Sequence, residues 1–163
     1  PEYFYFRTRR ELEFFAEEFS RSQYRFLHLS CHGDGVGLHT TFEKIQYSEF
    51  AQIFHGRLRN RRLFVSACET GNELFVETVR GANRGMHSIV SPRSKIATGS
   101  AVAMWCAMYM RSFYRGPDVM RVSDIRNALD LLGRMFGTEF LLSVYRAEVD
   151  GWEDACIGGS EAR

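Results

Sequence analysis

A cysteine and a histidine that could act together in covalent catalysis each follow an apolar segment of this sequence. Cys68 comes directly after residues 62–67, and His32 comes shortly after residues 24–30. A cysteine attacks as its thiolate, so a nucleophilic cysteine needs a nearby imidazole, partial exposure and backbone N–H donors for the oxyanion on the substrate carbonyl. A turn that contains glycine adjoins each residue. The pair fits these requirements, whereas a lone cysteine or histidine more often packs in the core.

The two apolar segments are predicted to be buried strands that end near these residues. Each segment stops at a turn that contains glycine, residues 33–35 in one case and residues 68–71 in the other. Predicted helices alternate with the strands, and parallel neighbours need a crossover that is usually a helix. This alternation predicts an α/β domain with a mostly parallel sheet. Ligands bind beyond the carboxyl ends of the strands in such sheets, which places His32 and Cys68 on the same edge.

Capping residues and hydrophobic periodicity predict the other elements. Thr8 and Glu11 have the capping-box arrangement at the start of a helix. Ser48 is a candidate cap for a short second helix, and Asn72 is one for a helix that ends near residue 82. Further helices are expected at residues 98–114 and 123–136, and further strands at residues 3–6 and 87–90. Residues 140–145 fit a strand or a helix, and we expect the strand.

The composition is typical of one globular domain and excludes several classes of protein. The chain has 163 residues, of which 45% are hydrophobic and 25% charged. Its formal net charge of +1 gives no overall attraction to nucleic acid or an anionic membrane, so we expect neither as a direct partner. The longest apolar run, residues 101–110, is too short to cross a bilayer. Four irregularly spaced cysteines without a signal peptide predict a cytoplasmic protein and not a disulfide framework.

Two sequence blocks around the histidine and the cysteine resemble the caspase-like (clan CD) cysteine peptidases. Residues 27–34 read Leu-His-Leu-Ser-Cys-His-Gly-Asp, and residues 63–71 read Leu-Phe-Val-Ser-Ala-Cys-Glu-Thr-Gly. They are most similar to the CHAT group of bacterial caspase-like domains, whose motifs are a strand that ends in His-Gly and a strand that ends in Ser-Ala-Cys-x-Thr-Gly. The resemblance covers roughly residues 8–114 and fades beyond residue 117. It implies a three-layer α/β/α fold with a mostly parallel central sheet.

The resemblance also implies roles for individual residues. Cys68 would be the nucleophile of a cysteine endopeptidase, His32 its general base and acid, and the backbone N–H groups of Gly33 and Cys68 the oxyanion hole. No cofactor and no metal ion would take part. One departure is that His32 and Cys68 are 36 residues apart, fewer than the roughly 50 of animal caspases. The shorter connection implies that substrate pockets built from it are shallow or supplied by another chain.

Four residues near the dyad are candidates for substrate binding. Asp34 and Glu69 follow the histidine and the cysteine, and either could recognise a basic substrate side chain or belong to a solvated turn. Ser91 and Arg93 lie where relatives build part of their first specificity pocket, and an arginine there could pair with an acidic substrate side chain. These alternatives imply opposite specificities, and the sequence leaves both open.

A zinc site and packing in the core are the other interpretations of these residue types. His28, Cys31 and His32 include zinc-ligand types, but His28 and Cys31 point to opposite faces of a strand and no second Cys/His pair has finger-like spacing. We therefore expect no metal site, and we expect Cys31 to be a core residue. Cys106, inside an apolar helix, is likewise expected to pack as a small hydrophobe.

A catalytically silent caspase-like domain that serves as a scaffold is the alternative to a peptidase. The short chain, the trimmed loop and the aromatic residues 3–6, which could pair as an edge strand, favour it. A partner-activated zymogen is a third alternative. Because the chain begins at Pro1, we expect residues 1–163 to be a single caspase-like domain excised from, or partnered with, a regulatory or sensor region. The resemblance implies a regulated effector in bacterial defence or cell death that acts on protein or peptide substrates.

Overall fold

Helices and strands alternate along the chain, of which the computed structural model describes residues 2–114, 116 and 120–159. The described residues form five α-helices: α1 (Arg9–Arg21), α2 (Tyr47–Ile53), α3 (Glu73–Ala82), α4 (Thr98–Ser112) and α5 (Val122–Phe136). They also form eight strands: β1 (Phe26–Ser30), β2 (His32–Asp34), β3 (Gly37–His39), β4 (Lys44–Gln46), β5 (Arg62–Ser66), β6 (Ser88–Pro92), β7 (Glu139–Arg146) and β8 (Gly151–Gly158). A 3₁₀ turn, Ala147–Val149, lies between β7 and β8. The structure is therefore of the mixed α/β class.

Five strands form the main sheet, in the order β1-β5-β6-β7-β8. The pairs β1–β5 and β5–β6 are parallel, whereas β6–β7 and β7–β8 are antiparallel. The expected parallel pairing therefore holds for the first three strands of the sheet. Two helices, α4 and α5, lie between β6 and β7, so the chain returns to the edge where β6 ended and β7 runs in the opposite direction. The short turn after β7 allows only an antiparallel partner.

Apolar side chains at alternate positions of β1 and β5 enter two different hydrophobic clusters. Leu29 and Val65 pack in one cluster with buried residues of α1, α2 and α3, and Phe64 packs in the other with buried residues of α4 and α5. Successive residues of a strand point to opposite faces of a sheet. The central strands are therefore buried on both faces, which explains why residues 62–67 read as a nearly continuous apolar run.

A second sheet, three-stranded and antiparallel, follows β1 and carries His32. Its strands are ordered β2-β3-β4, with His32 opposite His39 and His39 opposite Lys44. Leu38 and Ile45, which alternate with these polar residues, are buried in the same cluster as Leu29. The second sheet thus has one polar face and one face that packs on the core.

The turn between β2 and β3 explains why His32 lies in a strand and not in the loop that the sequence predicts. Asp34 Oδ1 accepts hydrogen bonds from the backbone N–H groups of Val36 at 3.0 Å and Gly37 at 2.9 Å. An aspartate that bonds to the backbone two residues ahead favours a tight turn. The chain therefore folds back on itself directly after β1, and His32 pairs with β3.

Two of the predicted helix caps are observed and one is wrong. Thr8 heads the expected capping box of α1. Asn72 caps α3 and accepts a hydrogen bond from a backbone N–H in the first turn. The prediction for Ser48 is wrong, because α2 begins one residue earlier, at Tyr47. Helix α5 likewise begins one residue before its predicted start, at Val122.

The predicted strand at residues 3–6 does not form, and β8 was not predicted. Phe4 instead stacks on Phe15 of α1, with ring centroids 4.6 Å apart, so the amino-terminal segment packs on a helix and not on a sheet edge. In β8, Glu153 and Asp154 are both exposed at successive positions. Two adjacent charged residues conceal the alternating pattern by which strands are recognised.

One face of α4 is exposed, although its sequence is almost entirely apolar. Val102, Cys106 and Met110 are exposed at a spacing of four residues, whereas Met104 and Trp105 are buried. The expectation that Cys106 is a core residue is therefore wrong, because only the opposite side of the helix faces the cluster. Neither α4 nor any other helix in the described part of the chain has the length and apolarity needed to cross a membrane.

Candidate active site

His32 and Cys68 lie at matching positions beyond the ends of two adjacent parallel strands. Strands β1 and β5 pair with a constant offset of 36 residues, from Phe26 opposite Arg62 to Ser30 opposite Ser66. The ladder ends at Ser30 and Ser66, and the same offset continued two residues further would pair His32 with Cys68. Both residues therefore follow the carboxyl ends of adjacent parallel strands.

Gly33 explains how closely the two segments approach. A Cβ atom at this position would lie 2.7 Å from the backbone oxygen of Cys68 and 3.0 Å from the Cβ of Ala67. Real Cβ atoms essentially never approach backbone atoms at such distances. The glycine that follows His32 thus allows the backbone of the histidine segment to lie directly against the backbone of the cysteine segment.

The Cys68 thiol is partly buried against the backbone of Ile96, in the segment between β6 and α4. The N–H of Ile96 donates to Sγ at 3.5 Å, and Sγ lies 3.8 Å from the carbonyl oxygen of the same residue. Within the described ranges, the backbone N–H of Cys68 donates to no backbone oxygen. This N–H is therefore available to a substrate oxygen, as an oxyanion hole requires.

The turn after Cys68 is fixed mainly by backbone hydrogen bonds and close contacts. Thr70 is buried and its hydroxyl donates to the carbonyl oxygen of Ala67 at 2.7 Å. The N–H of Gly71 donates to the carbonyl oxygen of Pro92 at 2.7 Å. Glu69 has a φ of 60°, the left-handed region that costs a residue with a Cβ atom free energy. A strained residue directly after the candidate nucleophile is consistent with a functional turn.

Asn72 connects the cysteine turn to the histidine sheet. Its side-chain Nδ2 donates to the carbonyl oxygen of Glu69 at 2.6 Å and lies 3.5 Å from the carbonyl oxygen of Gly35. Tyr47 completes the connection, because its hydroxyl donates to the backbone oxygen of Asp34 at 2.5 Å. The sequence predicted Asn72 only as a helix cap, and this second role places the two strand-end turns in a fixed relation.

Asp34 is bonded to its own sheet. Its Oδ2 accepts from Lys44 Nζ at 2.7 Å and lies 2.8 Å from His39 Nε2. The hydrogen bonds from Lys44 and His39, with those from two backbone N–H groups, hold the pKa of this carboxyl well below its ordinary value of 3.8. Asp34 is therefore an ionised turn residue, which favours that interpretation over contact with a basic substrate side chain.

Burial distinguishes His28 and Cys31 from the pair at the edge. The ring of His28 packs edge-on against Trp105 with centroids 4.8 Å apart and hydrogen-bonds to the hydroxyl of Tyr109. Burial lowers the pKa of His28 to about 4. Burial also raises the pKa of the Cys31 thiol to about 12. Cys31 packs against the cluster that contains Leu29, so the two residues lie on opposite faces and do not form a zinc pair.

The other candidates for substrate binding differ in accessibility. Ser91 is fully buried and its hydroxyl donates to the carbonyl oxygen of Thr70 at 3.3 Å, so it is placed to support the turn and not to contact a substrate. Arg93 is exposed, pairs with Glu139 at 3.0 Å and contacts Cys156. Glu69 and Arg93 both line a cavity of about 720 Å³ beside the cysteine turn.

Two residues of the polar face, His39 and Lys44, were not predicted from the sequence as parts of the site. The sequence does contain a turn signal, because Asp34 and the two residues after it form the turn that sets His39 opposite His32. This pairing could be predicted only by assuming that His32 begins a strand.

Among the described residues, no three His, Cys, Asp or Glu side chains are arranged to hold a metal ion. Comparison of the chain with models of protein families finds no match. Comparison with curated proteins finds no significant relative. The chemistry of the site is therefore inferred from the residues and their arrangement.

Proposed function

We propose that this protein is a cysteine endopeptidase in which Cys68 is the nucleophile and His32 the general base and acid. The observation that carries the proposal is the close approach of the two segments beyond the ends of β1 and β5, where a Cβ atom at Gly33 would lie 2.7 Å from the backbone oxygen of Cys68. An imidazole beside a thiol is the arrangement that nucleophilic catalysis by cysteine needs. The histidine is exposed and the cysteine partly exposed, so both can reach a substrate.

The fold of the proposed enzyme is the three-layer α/β/α fold of the caspase-like peptidases, closest to the CHAT group. Three features support this assignment. Helices α1–α3 share one hydrophobic cluster with the sheet, and α4 and α5 share another. The parallel strands β1, β5 and β6 are adjacent. The order of His32 before Cys68, each after a parallel strand, is that of the family.

The proposed reaction proceeds through a covalent thioester. His32 takes the proton of the Cys68 thiol, and the thiolate forms a carbon–sulfur bond with the carbonyl carbon of the scissile peptide. The negative oxygen that results would accept hydrogen bonds from the backbone N–H groups of Gly33 and Cys68. His32 then gives its proton to the leaving amine as the carbon–nitrogen bond breaks. A water molecule, deprotonated by His32, attacks the thioester and releases the carboxylic acid, which restores the thiol.

The substrate would be an extended polypeptide that contacts the cavity beside Cys68. Glu69 has no ion-pair partner among the described residues, whereas Arg93 already pairs with Glu139. This difference favours a basic substrate side chain over an acidic one. By the resemblance, such an enzyme would act in the cytoplasm as an effector in bacterial defence or cell death, under the control of a regulatory region.

The proposal is tested by intact-mass labelling with acyloxymethyl ketone peptides that carry an arginine, lysine, aspartate or leucine headgroup. Such probes form a covalent adduct only with an activated cysteine that accepts their side chain. We expect the parent protein to gain one adduct with a basic headgroup, and Cys68→Ala and His32→Ala to gain none. Cys106→Ala is the matched control, because Cys106 is an exposed cysteine on α4, and it should label like the parent.

An inert scaffold remains the second candidate, and the exposed aromatic side chains near the amino terminus favour it. Tyr3, Tyr5, Phe14 and Phe42 are all exposed, and exposed apolar patches often mark interaction surfaces. A scaffold predicts that no probe labels the parent. An adduct that persists in Cys68→Ala would also contradict the peptidase proposal.

A further inference from the structure

The polar face of the second sheet places a second histidine beside His32. In the antiparallel pairing of β2 with β3, His39 is directly opposite His32. Side chains of directly opposed residues project from the same face, with Cβ atoms about 4.5–5.5 Å apart. The Cβ atoms of His32 and His39 are therefore neighbours across the strands.

The ring of His39 is itself held by a hydrogen bond to the carboxylate of Asp34. Its Nε2 lies 2.8 Å from Asp34 Oδ2, and the same oxygen accepts a hydrogen bond from Lys44 at 2.7 Å. Because an ionised carboxylate can only accept, Nε2 of His39 carries the proton in this contact. In the neutral ring, Nδ1 is then the acceptor.

His32, in contrast, has no side-chain hydrogen bond to any other described residue. Two other histidines do have such bonds, His28 to Tyr109 and His39 to Asp34. A general base must be held near its productive orientation, because small misplacements are costly in rate. Within the described residues, the neighbour suited to restrain the ring of His32 is the ring across the strands.

We propose that His39 is a positioning residue that holds the imidazole of His32 toward Cys68, with Asp34 and Lys44 fixing the ring of His39. The inference rests on the proposed function, since it assigns a role in the activation of Cys68. In this role, the ring of His39 would offer Nδ1 as an acceptor for an N–H of His32. The other ring nitrogen of His32 is then directed to the thiol.

The test is the alkylation rate of Cys68 by iodoacetamide, measured by peptide mass spectrometry and divided by the rate of Cys106 in the same molecule. This ratio needs no substrate, and the exposed Cys106 on α4 corrects for reagent and conditions. We expect the ratio to fall roughly tenfold in His39→Ala. His39→Gln should keep the ratio within about twofold of the parent, because glutamine can donate to Asp34 and accept from His32.

Two further variants separate this inference from the proposed function. His32→Ala should lower the ratio at least as far as His39→Ala, and a ratio unchanged by His32→Ala would overturn both the function and the inference. His55→Ala is the matched control, since His55 is an exposed histidine at the end of α2, and it should leave the ratio unchanged.

A ratio that falls in His32→Ala but stays at the parent value in His39→Ala would overturn the inference and leave the function standing. An equal loss in His39→Ala and His39→Gln would also overturn it, because the role would then be structural. Should His39→Ala fail to fold, Asp34→Asn replaces it. This variant frees the ring of His39 while an oxygen remains for the turn, and we expect a loss of roughly threefold that Lys44→Arg does not cause.

Discussion

His28 and His32 are four residues apart in the sequence, yet their surroundings are opposite. His28 is packed against Trp105 and bonded to Tyr109 in the interior, whereas His32 is exposed at the edge. The cysteines repeat the contrast. Cys31 packs against the core, and Cys68 lies in a turn next to the backbone N–H of Ile96.

The difference shows that depth along the strands decides what these residue types can do. Desolvation disfavours the charged form of any group, so a buried imidazole stays neutral and a buried thiol stays protonated. Beyond the last paired residues, Ser30 and Ser66, the strands diverge into turns and solvent reaches the side chains. The interior pair serves packing, whereas the edge pair is accessible to solvent.

The largest effect that tests this contrast is the reactivity of Cys31. Burial raises its pKa from 9.0 to about 12, so its thiolate fraction at neutral pH is about a thousandfold below that of an ordinary thiol. The higher nucleophilicity of a more basic thiolate restores part of this factor. We expect iodoacetamide at pH 7.5 to label Cys31 at least about thirtyfold more slowly than Cys106.

The control for Cys31 is the same chain in guanidinium chloride, where all four cysteines should label at similar rates. Labelling of Cys31 in the native protein within tenfold of Cys106 would show that its pocket is open. The contrast between interior and edge would then fail for the cysteines.

The fold around the site could be predicted from the sequence to a useful degree. The caps at Thr8 and Asn72 and the strand before Cys68 follow from local patterns, because each depends on a few neighbouring residues. The antiparallel end of the sheet could not be predicted in this way. Its strand directions depend on how α4 and α5 return the chain, which no local pattern encodes.

The sequence predicts the positions of the candidate site but not its contacts. His32 and Cys68 stand out because each follows an apolar strand, and both lie two residues beyond the paired ends of β1 and β5. The position of His39 depends on the pairing of β2 with β3, which local sequence does not reveal. The hydrogen bonds by which Asn72 connects the two turns likewise depend on how distant segments pack. Ser91 was a candidate because relatives build part of a specificity pocket at this position, whereas here it belongs to a fully buried strand.

The second effect concerns His28 and the pH dependence of stability. Its pKa is lowered from 6.5 to about 4 in the folded protein, so the unfolded chain binds a proton more readily between these values. The stabilisation is complete above pH 6.5 and is lost as the pH falls toward 4. We expect the free energy of unfolding in urea to fall by about 2 kcal/mol from this group between pH 7.5 and 4.5.

The matched variants are His28→Phe and His55→Phe. His28→Phe should flatten the loss of stability over this pH range, and His55→Phe should retain it because His55 is exposed. The ionisation of Asp34 does not interfere, since its pKa lies below 3.8 and its contribution is lost only at lower pH. An equal pH dependence in both variants would mean that His28 is hydrated.

The smallest effect compares Gly71, in the turn after Cys68, with Gly81, near the end of α3. At Gly71, an added Cβ would lie 2.8 Å from the carbonyl carbon of Pro92 and 2.8 Å from the oxygen of Ser91, and backbone atoms cannot move aside. We expect Gly71→Ala to lower the free energy of unfolding by about 1–2 kcal/mol. At Gly81, within α3, nothing lies within 4 Å of the added atom, so Gly81→Ala should raise it by roughly 0.5–1 kcal/mol. Urea unfolding of both variants gives the signs, and a stabilising Gly71→Ala would show that the turn after Cys68 is not held against β6 by close contact.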